Sequence, residues 1–134
     1  MTARIYLTHC SARKNRLLRN STQGVTPDKL YTATPARRFM SRCKKAGAKW
    51  AIFSDLYGVW FPHIGHRWYE KSPDTVTDKD FKRLVSDFDR KLRGFDEIWF
   101  YRNPGRFHWL YKELLRRTRL RKRVRRFSHL SEIT

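Results

Sequence analysis

The chain has 134 residues, of which 31 are Lys or Arg and 12 are Asp or Glu, so its formal net charge at pH 7 is +19. Apolar residues make up 40% of it, which is enough for one core and excludes a disordered chain. No apolar run approaches the roughly 20 residues that span a bilayer, and the N-terminus lacks the apolar stretch of a signal peptide. The two cysteines, Cys10 and Cys43, make no disulfide framework. We therefore expect a cytoplasmic protein without a membrane partner.

The strongest concentration of charge lies near the C-terminus, over residues 116–126. Eight of these eleven positions are basic: Arg116, Arg117, Arg119, Arg121, Lys122, Arg123, Arg125 and Arg126. No acidic residue within the segment offsets them, so they are typical of a surface that binds phosphate groups. A plainly solvated basic surface is the alternative. The charge favours DNA or RNA as a partner and does not distinguish between the two.

The first half of the chain alternates apolar runs with polar loops. Its predicted elements are a strand over 4–9, a loop over 11–33, a helix over 35–46, a strand over 50–53 and a second loop over 55–76. Thr34 and Pro35 are typical of an N-cap and a first helical position. Gly47 stands where a helix C-cap is expected, and the continuous run at 50–53 indicates a buried parallel strand.

In the second half, Thr77 and Asp80 have the spacing of a capping box and precede an apolar pattern of helical period. The predicted elements are a helix ending near Gly94, a strand over 98–101, a helix opened by Asn103 and Pro104 with Phe107 on its inner side, and a short strand over about 124–130.

The predicted order is β-α-β-α-β-α-β. It indicates a single α/β domain over residues 1–134, with three layers: a mostly parallel sheet of about four strands flanked by helices. In such a sheet, ligands bind beyond the carboxyl ends of the strands. We therefore expect Cys10, Ser54 and the segment 101–103 to converge on one edge.

Four sequence blocks follow these predicted strands: HCSARK (9–14), LYTATPARRF (30–39), FSDLYGVWFP (53–62) and WYEKSP (68–73). In order and spacing, they resemble the YaaA-like superfamily, which contains peroxide-stress proteins, a small related domain family and the middle domain of archaeosine synthases. The resemblance covers residues 4 to about 73. It implies association with nucleic acid and a pocket for a base or nucleotide, in proteins that take part in base modification.

The residues of these blocks suggest particular roles. Ser11 and Lys14 are suited to binding an anion, and the tyrosines are suited to stacking on a base. The predicted ligand-binding residues are Cys10, Ser11, Lys14, Tyr31, Arg37, Ser54, Tyr57, Gly58 and Tyr69. Asp55 and Glu70, with Lys14, are the predicted catalytic residues, because a glycosylase or base-exchange reaction needs a carboxylate beside the sugar.

Simpler interpretations of the same residues stay open. Ser11 and Ser54 are also typical turn formers, and Cys10 is also typical of a buried apolar position. His63 and His66 are two potential metal ligands, but neither CxxC nor HExxH is present, so no metal is predicted. No phosphate-binding glycine motif occurs, and no cofactor is assigned.

Two functions therefore remain as hypotheses. The first is an enzyme that modifies a base or nucleoside in nucleic acid through a pocket at the strand ends. The second is a non-enzymatic DNA- or RNA-binding protein that uses its basic surface.

Overall fold

A five-stranded sheet forms the centre of the structure, a computed structural model that describes residues 2–102 and 107–134. Its strands are β1 (Arg4–His9), β2 (Trp50–Ser54), β3 (Gly58–Trp60), β4 (Glu97–Tyr101) and β5 (Val124–Phe127). Their order across the sheet is β3-β2-β1-β4-β5. All neighbouring pairs are parallel except β2 and β3. The carboxyl ends of β1, β2 and β4 consequently lie at one edge, as the strand order predicted.

Helices cover both faces of this sheet. They are α1 (Pro27–Leu30), α2 (Thr34–Ala46), α3 (Asp78–Leu92) and α4 (Trp109–Arg117). On one face, Phe39 of α2 contacts Trp50 and Tyr101. On the other face, Phe53 contacts Phe88 of α3 and Tyr111 of α4. The predicted three-layer α/β fold is confirmed. Within the two described ranges, no helix has the length and apolar character needed to cross a bilayer.

The helix ends follow from local chemistry. The Thr77 side chain accepts a hydrogen bond from the Asp80 N–H at 3.1 Å and caps α3, as its spacing predicted. Gly47 ends α2 in the left-handed conformation, with φ of 62°, where glycine has no Cβ penalty. Pro35 lies in the first turn of α2, but the N-cap residue is Ala33 and not Thr34.

Two predicted loops contain regular structure. The segment 11–33 includes α1, and the segment 55–76 includes β3. Ser54 makes the turn into β3, because its Oγ accepts hydrogen bonds from the Leu56 and Tyr57 N–H groups at 3.1 and 3.0 Å. Gly58 then begins β3 with φ of 75°. Both elements are too short, at four and three residues, for their periodicity to stand out.

The C-terminal third differs from prediction at two boundaries. Helix α4 begins at Trp109 because His108 Nδ1 accepts the Leu110 N–H at 3.0 Å and caps the helix. Phe107 therefore precedes the helix, and the predicted start at residues 103 and 104 lies outside the described residues. Strand β5 ends at Phe127 and not near Leu130, since a 3-10 turn follows there.

Replacing Gly58 by Ala should be far more destabilising than replacing Gly47. Both residues have positive φ, but a Cβ on Gly58 would collide with the Asp87 carboxylate, whereas a Cβ on Gly47 meets nothing within 4 Å. We expect losses in unfolding free energy of about 3 kcal/mol for Gly58→Ala and about 1 kcal/mol for Gly47→Ala. Urea unfolding measures both, and equal losses would contradict this account of the turn.

Candidate functional site

A cavity of about 1100 Å³ opens beyond the carboxyl ends of β1 and β2. Its walls come from the end of β1, the turn after β2, the segment 70–75 and the start of α4. Of the predicted catalytic and ligand-binding residues, five line it: Cys10, Ser11, Lys14, Asp55 and Glu70. The parallel sheet thus brings together residues that are up to 60 positions apart in the chain.

Asp55 is the most unusual residue in this wall. It follows β2 directly and is only 1% exposed. Both carboxylate oxygens are buried, and neither has a hydrogen-bond partner among the residues that the structure describes. Burial raises the pKa of Asp55, while the nearby Cys10 thiol and the Lys14 and Lys71 ammonium groups act in the opposite direction. A buried carboxylate without a partner is costly, and such groups are candidates for functional sites.

Lys14 is the second charged group in the wall and is 8% exposed. Its backbone pairs with that of Tyr31, and its Nζ lies 4.4 Å from the ring centroid of Tyr69. Burial lowers the pKa of Lys14, and the Asp55 and Glu70 carboxylates partly offset this effect. No carboxylate of the described chain lies within 4.0 Å of Nζ. The ammonium is therefore able to donate to a ligand.

His9 lines the cavity and was not predicted as a ligand-binding residue. Its Nδ1 donates to the Cys10 carbonyl at 2.9 Å, and its ring stacks on Tyr111 with centroids 4.7 Å apart. Burial lowers the His9 pKa, which favours the neutral ring. Nε2 is then a hydrogen-bond acceptor, and it is buried without a partner in the described parts of the chain. Strand alternation places His9 on the face covered by α4, which is the signal that could have identified it.

Cys10 is buried beside the same tyrosine. Its Sγ lies 3.4 Å from the Tyr111 hydroxyl oxygen. Burial, together with the Asp55 charge, raises the pKa of Cys10 to about 11. The thiol is therefore protonated at neutral pH, which favours its simpler interpretation as a packed residue over a reactive thiolate.

Three predicted ligand-binding residues form a buried chain of hydroxyls and do not line the cavity. Ser54 Oγ donates to the Tyr69 hydroxyl at 3.0 Å, and the Tyr69 and Tyr31 hydroxyls lie 2.5 Å apart. None of the three is more than 6% exposed. The chain links the end of β2 to the loops on which Lys14 and Glu70 lie, so it holds two walls of the cavity together.

The other three predicted ligand-binding residues also lie away from the cavity. Tyr57 stacks on His66 with ring centroids 3.9 Å apart. Gly58 lies against Asp87, whose Oδ2 accepts the Val59 N–H. Arg37 lies on α2 beside a separate small depression. Short sequence blocks do not distinguish residues that face a cavity from residues that support it.

Ser11 and Glu70 occupy the outer part of the cavity. Ser11 is half-buried, and its Oγ donates to the Arg13 carbonyl at 3.4 Å, which is typical of a turn former. Glu70 is exposed, next to Lys71. Of the two predicted catalytic carboxylates, Asp55 therefore has the buried environment, and Glu70 lies at the solvent side.

The basic C-terminal segment does not form one continuous surface. Arg116 and Arg117 both pair with Glu113, so the expectation that these charges lack an acidic partner is wrong for them. This pairing lowers the pKa of Glu113 to about 2. Arg123 donates to the Arg93 and Phe95 carbonyls, which makes it a structural residue.

The neighbouring arginines of β5 point to opposite faces of the sheet. The Arg125 guanidinium lies 4.4 Å from the Trp99 ring centroid. The Arg126 guanidinium lies 5.8 Å from the ring of Phe107, which lines the cavity. The guanidinium of Arg102 is 5.9 Å from the same ring. Positive charge therefore reaches the cavity wall from the end of β4 and from β5.

The two potential metal ligands His63 and His66 pack against different aromatic rings. His63 stacks near Phe61, and His66 stacks on Tyr57. Across residues 2–102 and 107–134, no three His, Cys, Asp or Glu side chains are grouped closely enough to hold a metal ion.

Comparison with known proteins gives no match among protein-family models, curated proteins or solved structures.

Replacing Asp55 by Asn should stabilise the protein at neutral pH by about 1 kcal/mol. Burial raises the pKa of Asp55 in the folded state, so wild-type stability falls as pH rises from about 4 through the folded pKa. The variant has no carboxyl group at this position, so it does not lose stability over this range. The difference in melting temperature between the variant and the wild type should therefore grow over that range and then level off. Thermal unfolding from pH 4 to 8 measures it, and a variant that is less stable throughout would indicate a structural carboxylate.

Proposed function

We propose that this protein binds a base or nucleotide of a nucleic acid in the strand-end cavity and acts on its N-glycosidic bond, as a glycosylase or base-exchange enzyme. The observation that carries the proposal is the Asp55 carboxylate, which is buried in the cavity wall with both oxygens lacking a partner in the described chain.

The polar groups of the cavity are complementary to the edge of a base. Asp55 and the neutral ring of His9 both present acceptors, which call for N–H or O–H donors on the ligand. Lys14 presents a donor, which suits a carbonyl or phosphate oxygen. Phe107 and Tyr111 add aromatic surface. A volume of about 1100 Å³ exceeds that of ordinary small-molecule sites and leaves room for a nucleotide.

The surroundings of the cavity suit a polyanion. The guanidinium groups of Arg102 and Arg126 lie 5.9 and 5.8 Å from the centroid of the Phe107 ring, which lines the cavity. Both are suited to contact the phosphates that flank a bound nucleotide. The net charge of +19 adds a long-range attraction for nucleic acid that does not depend on its base sequence. Access to the cavity requires the base to leave its stack, as in other enzymes that act on single bases.

In hydrolysis, the C1′–N bond breaks and its electron pair stays with the base, which takes up a proton. Water adds to C1′ and loses a proton. Asp55 is suited to accept that proton, because burial raises its pKa and so makes the carboxylate a stronger base. The Lys14 ammonium is suited to protonate the departing base or to neutralise its charge. In base exchange, the incoming base takes the place of water.

A thermal-shift screen of bases, nucleosides and nucleotides in high salt tests the pocket, since salt suppresses nonspecific phosphate attraction. We expect a ligand at 100 times its Kd to stabilise the protein by about 2.7 kcal/mol. Asp55→Asn and Lys14→Ala should remove this stabilisation. Asp80→Asn and Lys112→Ala, which change a half-buried residue of α3 and an exposed residue of α4 outside the cavity, should preserve it. Equal shifts in all four variants would contradict the proposed site.

Non-enzymatic binding is the second candidate function, and one observation favours it. Burial raises the pKa values of Cys10, Tyr69 and Tyr111, so these groups are not activated as nucleophiles. Release of free base from oligonucleotides over time separates the two functions. Turnover that disappears in Asp55→Asn supports the enzyme. Salt-dependent binding without turnover supports the alternative.

A further inference from the structure

A second concave surface runs along the junction of α3 and α4. It consists of two adjoining depressions, of about 350 and 720 Å³, which share Phe81, Lys82 and Arg117 in their walls. The smaller depression reaches Trp109 at the start of α4. The larger one extends to Arg93 and Arg119. We call this surface the α3/α4 groove.

The groove begins where the cavity ends. On one side, Thr75 lines the cavity and the next residue, Val76, lines the groove. On the other side, His108 lines the cavity and Trp109 lines the groove. A hydrogen bond of 2.7 Å between His108 Nε2 and Asp74 Oδ1 marks the boundary. Any polymer that enters the cavity with one unit is therefore able to continue into the groove.

Trp109 stands at this boundary with 54% of its surface exposed. Its indole leaves apolar surface in water. It does not belong to the inner side of α4, which packs on the core through Leu110, Tyr111 and Leu114. An exposed indole next to a binding cavity offers a flat surface for an unpaired base, and stacking of this kind tolerates any base.

Beyond Trp109, the groove is positively charged. Its basic residues are Lys82, Arg90, Arg93, Arg117 and Arg119. Two of its three acidic residues are engaged: Glu113 pairs with Arg116 and Arg117, and Asp89 accepts hydrogen bonds from Thr118 and the Arg119 N–H. The third, Asp78, lies in the first turn of α3. Trp109 and Arg117 are eight residues apart, or about 12 Å along the helix axis. A stacking surface followed by cations is the arrangement that binds a single strand.

We propose that the α3/α4 groove binds single-stranded nucleic acid and that Trp109 stacks on the base next to the nucleotide held in the cavity. This inference rests on the proposed base pocket, because the pocket defines which base is the neighbour. Lys82, Arg93 and Arg119 contact the phosphates that follow. A duplex keeps its bases stacked on each other, so it does not offer Trp109 a free base.

Fluorescence anisotropy with labelled 12-nucleotide single strands, of DNA and of RNA, and with the matching duplexes tests the groove. Trp109→Ala should weaken single-strand binding by about 5- to 100-fold. The control Leu17→Ala removes an apolar side chain that is 92% exposed and should have no effect. A weakening limited to DNA or to RNA identifies the natural strand. Equal affinities for Trp109→Ala and Leu17→Ala, or an equal weakening of duplex binding, would overturn the proposal.

Charge reversal provides a second readout that does not depend on stacking. The double variant Lys82→Glu and Arg119→Glu should flatten the dependence of log affinity on log salt by about 1.4, since two phosphate contacts are lost. Lys45→Glu, on α2 at the opposite face of the sheet, is the control and should leave the slope nearly unchanged. A slope unaffected by the double variant would contradict the groove.

Failure of the groove and failure of the pocket give different results. If only the groove proposal fails, the thermal shift with free nucleotides still requires Asp55 and Lys14, while Trp109→Ala binds oligonucleotides as the wild type does. If the pocket is wrong and the groove is right, Trp109→Ala weakens single-strand binding, while Asp55→Asn changes no thermal shift.

Discussion

Parallel pairing of β1 with both β2 and β4 is the interaction on which the rest of the structure depends. It places the carboxyl ends of three strands at one edge, so the residues that follow β1 and β2 meet there. Asp55 occupies the first position after β2, and Cys10 the first after β1. Neither residue could reach the same cavity if the two strands ran in opposite directions.

The cavity is assembled from two layers with different tasks. The inner layer contains Asp55, Lys14 and His9. The side-chain acceptors of Asp55 and His9 lack a hydrogen-bond partner in the described chain, and the buried Lys14 ammonium is free to bind a ligand. The layer behind it contains Ser54, Tyr69 and Tyr31, whose hydroxyls satisfy one another. These hydroxyls are satisfied, whereas the neighbouring carboxylate of Asp55 and the ring nitrogen Nε2 of His9 have no partner in the described chain. A ligand that supplies the missing donors would relieve this penalty, which links the stability of the fold to binding.

The position of a basic residue in the fold determines whether its charge is available to a ligand. The density of basic residues in the sequence does not. Arg123 caps carbonyls, Arg116 and Arg117 share Glu113, and Arg125 covers Trp99. Arg126 and Arg102, by contrast, both lie within 6 Å of the centroid of Phe107, an aromatic ring of the cavity. The surfaces proposed for nucleic acid therefore draw on α3, α4 and the strand ends, and the basic segment supplies only part of each.

The sequence alone determined the α/β class, the alternation of the parallel strands with helices and the edge at which the cavity forms, because apolar period, glycine and proline positions and capping residues act locally. It also predicted that Asp55 and Lys14 belong to the site, since both lie in sequence blocks at the ends of strands. Only the tertiary structure decided that Ser54 and Tyr31 face inward, that His9 and Tyr111 share the cavity and that Trp109 borders it. These outcomes depend on contacts between residues from 15 to about 100 positions apart, and no local pattern encodes such packing. The short strand β3 was missed for a related reason: three residues acquire strand geometry only when β2 is there to pair with them.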